Sequence, residues 1–404
     1  MKILVLNSGS SSHKSALFEL SSESGFAPLP PLWEGKLQWD GEKEELTIRN
    51  AQRKKIHQEQ SRKSDERRSA VESMLRNLWH GPTAVLADAN EIDLIGHRIV
   101  HGGPKLTEPV VINQQVKQTI ADVSAIAPLH NKAGLQGIEI AEKLFSGKRQ
   151  IAVFDTGFHR TLPKYATVYP GPYEWFEHNI RRYGFHGINH EYCAHRAARM
   201  LNRELSSLKL VTCHLGNGCS LTAINGGKSI DTTMGFTPLE GVMMGTRGGS
   251  IDPGILVHLM RTQHVSASEL DDTLNRNSGL LGISGVSSDM RDVLKVAHEG
   301  NERAKLAFNI FVHRLRKGIA AMAAILAGVD AIIFTAGIGE NSAEVRGAAC
   351  ANLAFLGIQI DPEKNVSAGP DCDISSSQSR VRTLVIRAQE DWSIAQKCLR
   401  LGAA

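Results

Sequence analysis

Aromatic residues make up only 5% of this 404-residue chain, and its six cysteines form no CxxC pair. Cysteines so few and so scattered exclude a disulfide scaffold, and reduced thiols in a cytoplasmic protein are expected. Neither sign of charge dominates: 46 Lys+Arg face 42 Asp+Glu, a formal charge of +4. At 42% hydrophobic and 22% charged, the composition excludes a disordered or collagen-like chain. Long apolar runs are missing too. The N-terminus offers only Ile3–Leu6 before Asn-Ser-Gly-Ser, too short for a signal-peptide core and right for a strand. The segment from Gly318 to Gly339 is the most apolar, but Asp330 interrupts it and Gly328-Val329 reads as a helix-to-strand turn. No membrane span is expected, and the Asn365-Val366-Ser367 sequon is then a chance match. Two phosphate-binding motifs are also absent. Gly227-Lys228-Ser229 approaches a P-loop, but Thr222 stands where the leading glycine belongs, and no GxGxxG follows a strand.

The surplus charge is local. Between Arg49 and Arg68 eight basic residues face three acidic ones, a surplus of five, which leaves the rest of the chain at −1. The stretch reads as weakly helical, and without interleaved aromatics it predicts a solvated face, not a nucleic-acid patch.

Short β-branched runs predict strands at Lys2–Leu6, Asp93–Val100, Gln150–Phe154, Leu208–His214, Asp330–Thr335 and Arg380–Ile386. Helical patterns lie between them at Asn131–Leu144, His190–Leu201, Ala304–Leu326 and Ser342–Asn352. This alternation argues an α/β architecture with mainly parallel sheets, and residues 14–48 suggest an antiparallel hairpin. At about 150 residues per domain, two domains are expected.

Three strands end in small-residue turns: Asn7 to Ser12, His214 to Ser220, and Thr335 to Ser342. Glycine lets backbone N–H groups approach an anion closely, and three such turns together point to phosphate. The third also opens a helix, whose free N–H groups favour an anion. Arg98 ends a strand beside Gly102-Gly103, and Arg247 is embedded in glycines; either guanidinium can clamp a carboxylate or phosphate. Asp155 follows a buried strand, where α/β proteins place ligands, although it could instead cap a helix. Histidines at 186, 190 and 195, and at 97 and 101, approach zinc-ligand spacing, but no HExxH is present. Satisfied or catalytic histidines are the expectation.

Taken in order, these segments resemble the acetate kinase (acetokinase) family, with propionate and butyrate kinases as close relatives. The resemblance rests on Asn7–Ser12, Gly96–Gly103, Ala127–Asn131, Phe154–Thr156, Arg181–Gly187, His214–Gly218, Asp231–Arg247, Ser278–Arg291 and Phe334–Ser342. It implies the actin/hexokinase/sugar-kinase fold: two ribonuclease-H-like α/β domains, 1–156 with 389–404 and 157–388, closing on a nucleotide between them. It implies Mg²⁺-dependent, reversible phosphoryl transfer from ATP to acetate, with Mn²⁺ as a substitute ion. Arg98 and Arg247 would hold the acyl-phosphate end, His186 the transferring phosphoryl, and Asp155 would orient the reactants. Asn7 and Glu390 would hold the metal. Val100, Leu129, Phe185 and Pro238 would line a pocket for the acyl methyl, with His130 on the substrate side. Ser10, Ser12, Lys14, His214, Asn217 and Gly218 would meet the nucleotide phosphates. Asp289, Met290, Arg291, Gly337, Ile338, Gly339 and Asn341 would surround the adenosine. A homodimer is implied, and neither nucleic acid nor membrane is an expected partner.

The pattern departs from the family's at four places. Gly248 and Ser250 replace a serine and an aspartate of TRSGDIDP, and Lys132 replaces the proline of HNP. Ile188-Asn189 replaces the Thr-Ser of GTSH, and Arg387–Asp391 (RAQED) stands for PTNEE. A competing expectation from another class is a nucleotide-switched binding module like the actin or chaperone relatives. The paired Arg98 and Arg247 argue against it, because hydrolysis needs no carboxylate clamp.

Overall fold

The computed structural model describes residues 1–9, 12–21, 25, 27–40, 43–62, 67–125 and 128–402, the side chains of Asp40, Arg62, Ala125 and 128–130 excepted. Ser10 lies outside the described residues, and of Leu129 and His130 only the backbone is described. The chain packs as two compact units: Met1–Gly157 with Gln389–Ala404, and Phe158–Ala388.

In the first unit, eight strands form one sheet. They are β1 (Lys2–Ser8), β2 (Ser12–Glu19), β3 (Trp33–Asp40), β4 (Lys43–Asn50), β5 (Lys55–Arg62), β6 (Leu94–Ile99), β7 (Val110–Val111) and β8 (Arg149–Phe154). Their order is β5-β4-β3-β2-β1-β6-β8-β7. Only β1, β6 and β8 run parallel; the others are antiparallel. The expected parallel sheet is thus a parallel core carrying an antiparallel meander. Strand alternation sets the two faces. Leu4, Leu6 and Ile95 join Leu17, Trp33 and Leu37 under the helix Arg67–Arg76 and the helix Pro128–Leu144. On the other face Gly96 leaves room for the helix Glu390–Gly402: a Cβ there would lie 2.7 Å from Cys398 Sγ and 2.8 Å from Ile394. Fully burying each such aliphatic side chain stabilises by about 1.5–3 kcal/mol.

The basic segment is not helical as expected. Asn50 Oδ1 accepts the N–H groups of Gln52 and Lys54, and Arg53 adopts a left-handed φ of 59°. That turn sends the chain back as β5, paired with β4 from Lys43↔Arg62 onward. Edge strands rich in charge resist pairing with other chains, which suits this composition better than helix propensity does.

In the second unit six strands form the order β11-β10-β9-β12-β14-β13. These are β9 (Lys209–Leu215), β10 (Cys219–Asn225), β11 (Lys228–Thr232), β12 (Ala331–Thr335), β13 (Cys372–Asp373) and β14 (Arg382–Val385). Again three central strands, β9, β12 and β14, are parallel and the rest antiparallel. The run β11-β10-β9-β12-β14 repeats the connectivity of β3-β2-β1-β6-β8, so each unit holds the same five-strand core. One face packs Cys193, Ala194, Ala197 and Ala198 of the helix Gly187–Met200 on Leu210, Ile333 and Leu384. The other is covered by the Ala-rich helix Glu302–Ile325. Among the described residues no helix is long and apolar enough to cross a membrane.

Candidate active site

Parallel strands deliver their carboxyl ends to one edge, and in the first unit that edge gathers Asn7, Arg98 and Asp155. Arg98 Nη1 donates to Asn7 Oδ1 at 3.2 Å, and Nη2 pairs with the Asp155 carboxylate, which is buried. The helix Glu390–Gly402 starts beside them, and Asn7 Nδ2 lies 3.4 Å from Asp391 Oδ1. Burial opposes the Arg98 charge, but Asp155, Glu390 and Asp391 outweigh it and hold the group above the ordinary arginine range. Burial raises the Asp391 carboxyl, with Lys14 opposing. Lys14 faces Asn7 across β1 and β2, and Ser12 opens β2. Val100 is buried directly after β6. Asn131, which sequence reasoning passed over, grips the backbone of His101: it accepts from its N–H at 3.1 Å and donates to its C=O at 2.9 Å. The loop after Arg98 is thereby held although Lys132 replaces the usual proline.

The second unit builds its cluster around the turn between β9 and β10. His186 has a left-handed φ of 58° and opens the helix Gly187–Met200. Phe185 is buried, and its carbonyl lies 3.0 Å from His159 Nε2. The His186 ring stacks on that of His214, centroids 3.9 Å apart and 8° between planes. A Cβ on Gly218 would lie 2.7 Å from Arg247 Nη2 and 3.3 Å from His186 Cε1 and Nε2, so guanidinium and imidazole converge on this glycine. Arg247 Nη1 donates to the Pro238 carbonyl at 2.9 Å. Burial lowers the Arg247 guanidinium below its ordinary value, yet arginine stays charged.

Departures from the family pattern are compensated locally. Ser250 exchanges bonds with Gly241, its Oγ accepting at 3.1 Å and its N–H donating at 2.8 Å. Asn189 Nδ2 donates to His214 Nδ1 at 2.9 Å. Ala388 N–H donates to Glu340 Oε1 at 2.8 Å.

A cavity of about 690 Å³ opens beside the same turn, lined by Asn217, Asp289, Met290, Arg291, Gly337, Ile338 and Asn341. Gly216, Ser288, Leu294 and Ser342 also line it, and were not expected. Gly339 is buried in the short helix Ala336–Asn341 and does not line it. Asp289 caps the helix Met290–His298 and is forked by Arg291, whose hydrogen bonds hold the carboxyl below the usual carboxylate range. No group of three His, Cys, Asp or Glu side chains among the described residues is arranged to hold a metal ion.

An arginine without a carboxylate partner among the described residues, a stacked histidine pair and a roomy cavity beside one glycine turn suit phosphoryl chemistry. The acetokinase family model matches residues 2–396. The chain belongs to the acetokinase family. It is similar to an acetate kinase of Nostoc sp., 54% identical with 99% of each chain covered. Among solved structures it is similar to Porphyromonas gingivalis acetate kinase, with 38% identity, TM-score 0.89 and 99% of each chain covered. A propionate kinase from Francisella tularensis matches at 38% identity and TM-score 0.88, again over 99% of each chain. This acetokinase-family chain is therefore an enzyme, a kinase, with the two-domain, actin-like, ribonuclease-H-like fold.

Proposed function

We propose that the protein transfers the γ-phosphoryl group of ATP to acetate, reversibly, giving acetyl phosphate and ADP by direct in-line attack. The observation that carries this reading is the convergence of Arg247 and His186 on Gly218, in the turn that also lines the 690 Å³ cavity. A carboxylate with a pKa of about 4 is ionised at neutral pH, so no general base is needed. Cations are needed, to offset repulsion between two anions and the charge on the transferring group. Arg247 and His186 would meet that group, His214, Asn217 and Gly218 the nucleotide phosphates, and the cavity the adenosine. Ser10, Ser12 and Lys14 of the first turn are assigned to the nucleotide with them. Arg98, oriented by Asp155 and Asn7, would hold the acyl end. Val100, Leu129, Phe185 and Pro238 are assigned to the acyl methyl, and His130 to the substrate side.

The donors around Arg98, namely the Asn7 amide and the Asp155, Glu390 and Asp391 carboxyls, are hard oxygens, which fits Mg²⁺. That ion keeps several waters and shares substrate phosphates, so it needs no full protein cage. Asn7 and Glu390 would hold it, and when bound it would neutralise phosphate charge. Trapping acyl phosphate with hydroxylamine tests the whole reading: ATP hydrolysis without hydroxamate would favour a nucleotide-switched module instead.

Propionate is the second reading, because the propionate kinase resembles this chain as closely as the P. gingivalis acetate kinase does. One methylene is worth only about 1–3 kcal/mol of discrimination, so kcat/KM for acetate, propionate and butyrate decides. The reading also includes a cytoplasmic homodimer. Its support is the helix Pro253–Thr262, which buries no residue and exposes Ile255, Val257 and Met260. Light scattering giving one chain's mass would refute the dimer.

A further inference from the structure

Behind His186 runs a line of side chains shut away from solvent. Thr212 on β9, Ser220 on β10 and His190 in the helix Gly187–Met200 are each 0% exposed. His190 Nδ1 lies 2.6 Å from Thr212 Oγ1, and its Nε2 lies 2.7 Å from Ser220 Oγ. Ser220 Oγ lies 2.9 Å from His186 Nδ1. Burial, reinforced by His159 and His214, holds His190 well below the ordinary histidine range. Its ring is neutral and carries one proton.

With one proton per link, the line has two possible directions. In the first, the Thr212 hydroxyl donates to His190 Nδ1, His190 Nε2–H to Ser220, and Ser220 to His186 Nδ1. Every proton then has an acceptor, and the ring proton of His186 is on Nε2. In the second, His186 Nδ1–H donates to Ser220, Ser220 to His190 Nε2, and His190 Nδ1–H to Thr212. The Thr212 proton is then buried without an acceptor among the described residues, at a cost comparable to a lost hydrogen bond. The first direction is favoured.

His214 follows the same rule by a separate route. The Asn189 amide nitrogen is only a donor, so its bond to His214 Nδ1 puts that ring's proton on Nε2 as well. The Nε2 edge of His186 faces Gly218, and Nε2 of His214 would lie 3.7 Å from a Cβ on Gly216. Two rings stacked face to face therefore turn their N–H groups toward one glycine turn.

We propose that Thr212, His190 and Ser220 are positioning residues, forming a one-way hydrogen-bond relay that keeps the His186 proton on Nε2, facing the anion over the Gly216–Gly218 turn. The inference rests on the kinase reading for the identity of that anion, and on hydrogen-bond geometry for everything else. An N–H beside the Arg247 cation donates to a developing oxyanion, whereas a lone pair there repels it.

Thr212→Val tests this most cleanly. It keeps the side-chain volume, touches neither His186 nor the turn, and removes the hydroxyl whose proton sets the direction. Nitrogen NMR of the full-length protein labelled at histidine, with His186→Gln used for assignment, reads the tautomer directly. In the wild type His186 is expected to carry its proton on Nε2; Thr212→Val should populate the Nδ1 form. Orienting partners of this kind typically matter by about 10- to 100-fold. Thr212→Val is expected near the lower figure in kcat and Ser220→Ala near the upper, with KM for ATP and acetate nearly constant. Ser220→Thr, which restores the hydroxyl, should recover most of the rate. A folded Thr212→Val protein with the wild-type tautomer and kcat would overturn the relay. A tautomer change in a protein that makes no acyl phosphate would support the relay while removing the kinase reading.

Discussion

The two arginines of the proposed site live under opposite conditions. Arg98 sits in the first unit with a carboxylate already in its grip, and Asp155, Glu390 and Asp391 hold its charge in place. Arg247, in the second unit, has no carboxylate partner among the described residues; it donates instead to the Pro238 carbonyl. A guanidinium neutralised by the protein is a fixed support, and it contributes orientation. One that is half-buried and left without an acid has charge to spend on a ligand. The same residue type, twice embedded near glycines, thus does two jobs.

The sharpest way to break that contrast is Arg247→Ala, expected to lower kcat/KM by about 10³ or more while ATP binding, followed by calorimetry, changes only a few-fold. Arg247→Lys should recover little, because an ammonium lacks the planar fork; substantial recovery would mean that any cation suffices. Asp155→Asn attacks the other side. Removing one partner of a buried pair costs about 3–5 kcal/mol, read as a lower urea midpoint, and an unchanged midpoint would show that Arg98 is not held as described. Gly218→Ala sharpens the contrast at intermediate strength. Its new methyl must displace the ends of Arg247 and His186, and misplacement of about 1 Å can cost about 10²-fold in rate, with little loss of stability.

Acid titration separates buried histidines from the carboxylates around Arg98. Burial lowers His13 to about 3, and His97, His101 and His159 to about 4, from 6.5. Between pH 6.5 and about 4 the unfolded chain therefore binds more protons than the folded one, so stability falls as the pH drops through that window. Asp391 works in the opposite sense, since protonation relieves its burial as the pH falls. His97→Gln should flatten the dependence of the urea midpoint on pH, and an unchanged slope would refute the assignment. The smallest effect belongs to the basic edge: replacing exposed Lys54 and Lys55 by Gln should leave kcat/KM within about twofold, as for surface groups remote from a site.

Much of the site was legible because chemistry at strand ends is local in sequence. Asn7, Arg98 and Asp155 each lie at or near the end of an expected strand, although their proposed roles came from the family resemblance and not from spacing. The antiparallel meanders were harder to read. Asn225-Gly226-Gly227 is a hairpin signal, and both glycines adopt positive φ, yet the strand after it is short and half polar. Edge strand β5 was unreadable because charge density outweighed pattern. The residues behind the site were invisible for another reason. Ser220 lies 34 positions from His186, and Asn131 lies 30 from His101, so nothing local marks either as a partner. Asp391 was overshadowed by Glu390, because only burial separates two adjacent acids.

The helix Glu390–Gly402 has a consequence for how the molecule comes into being. It covers the face of β1 and β6 that carries Gly96, yet it is drawn from the far end of the chain. During synthesis the segment 158–388 emerges complete while the first unit still lacks this cover. Asn7 and Arg98, made early, wait for Glu390 and Asp391, made after the whole second unit. A chain interrupted before Gln389 can hold a finished second unit and still lack two of the three carboxylates that support the Arg98 charge.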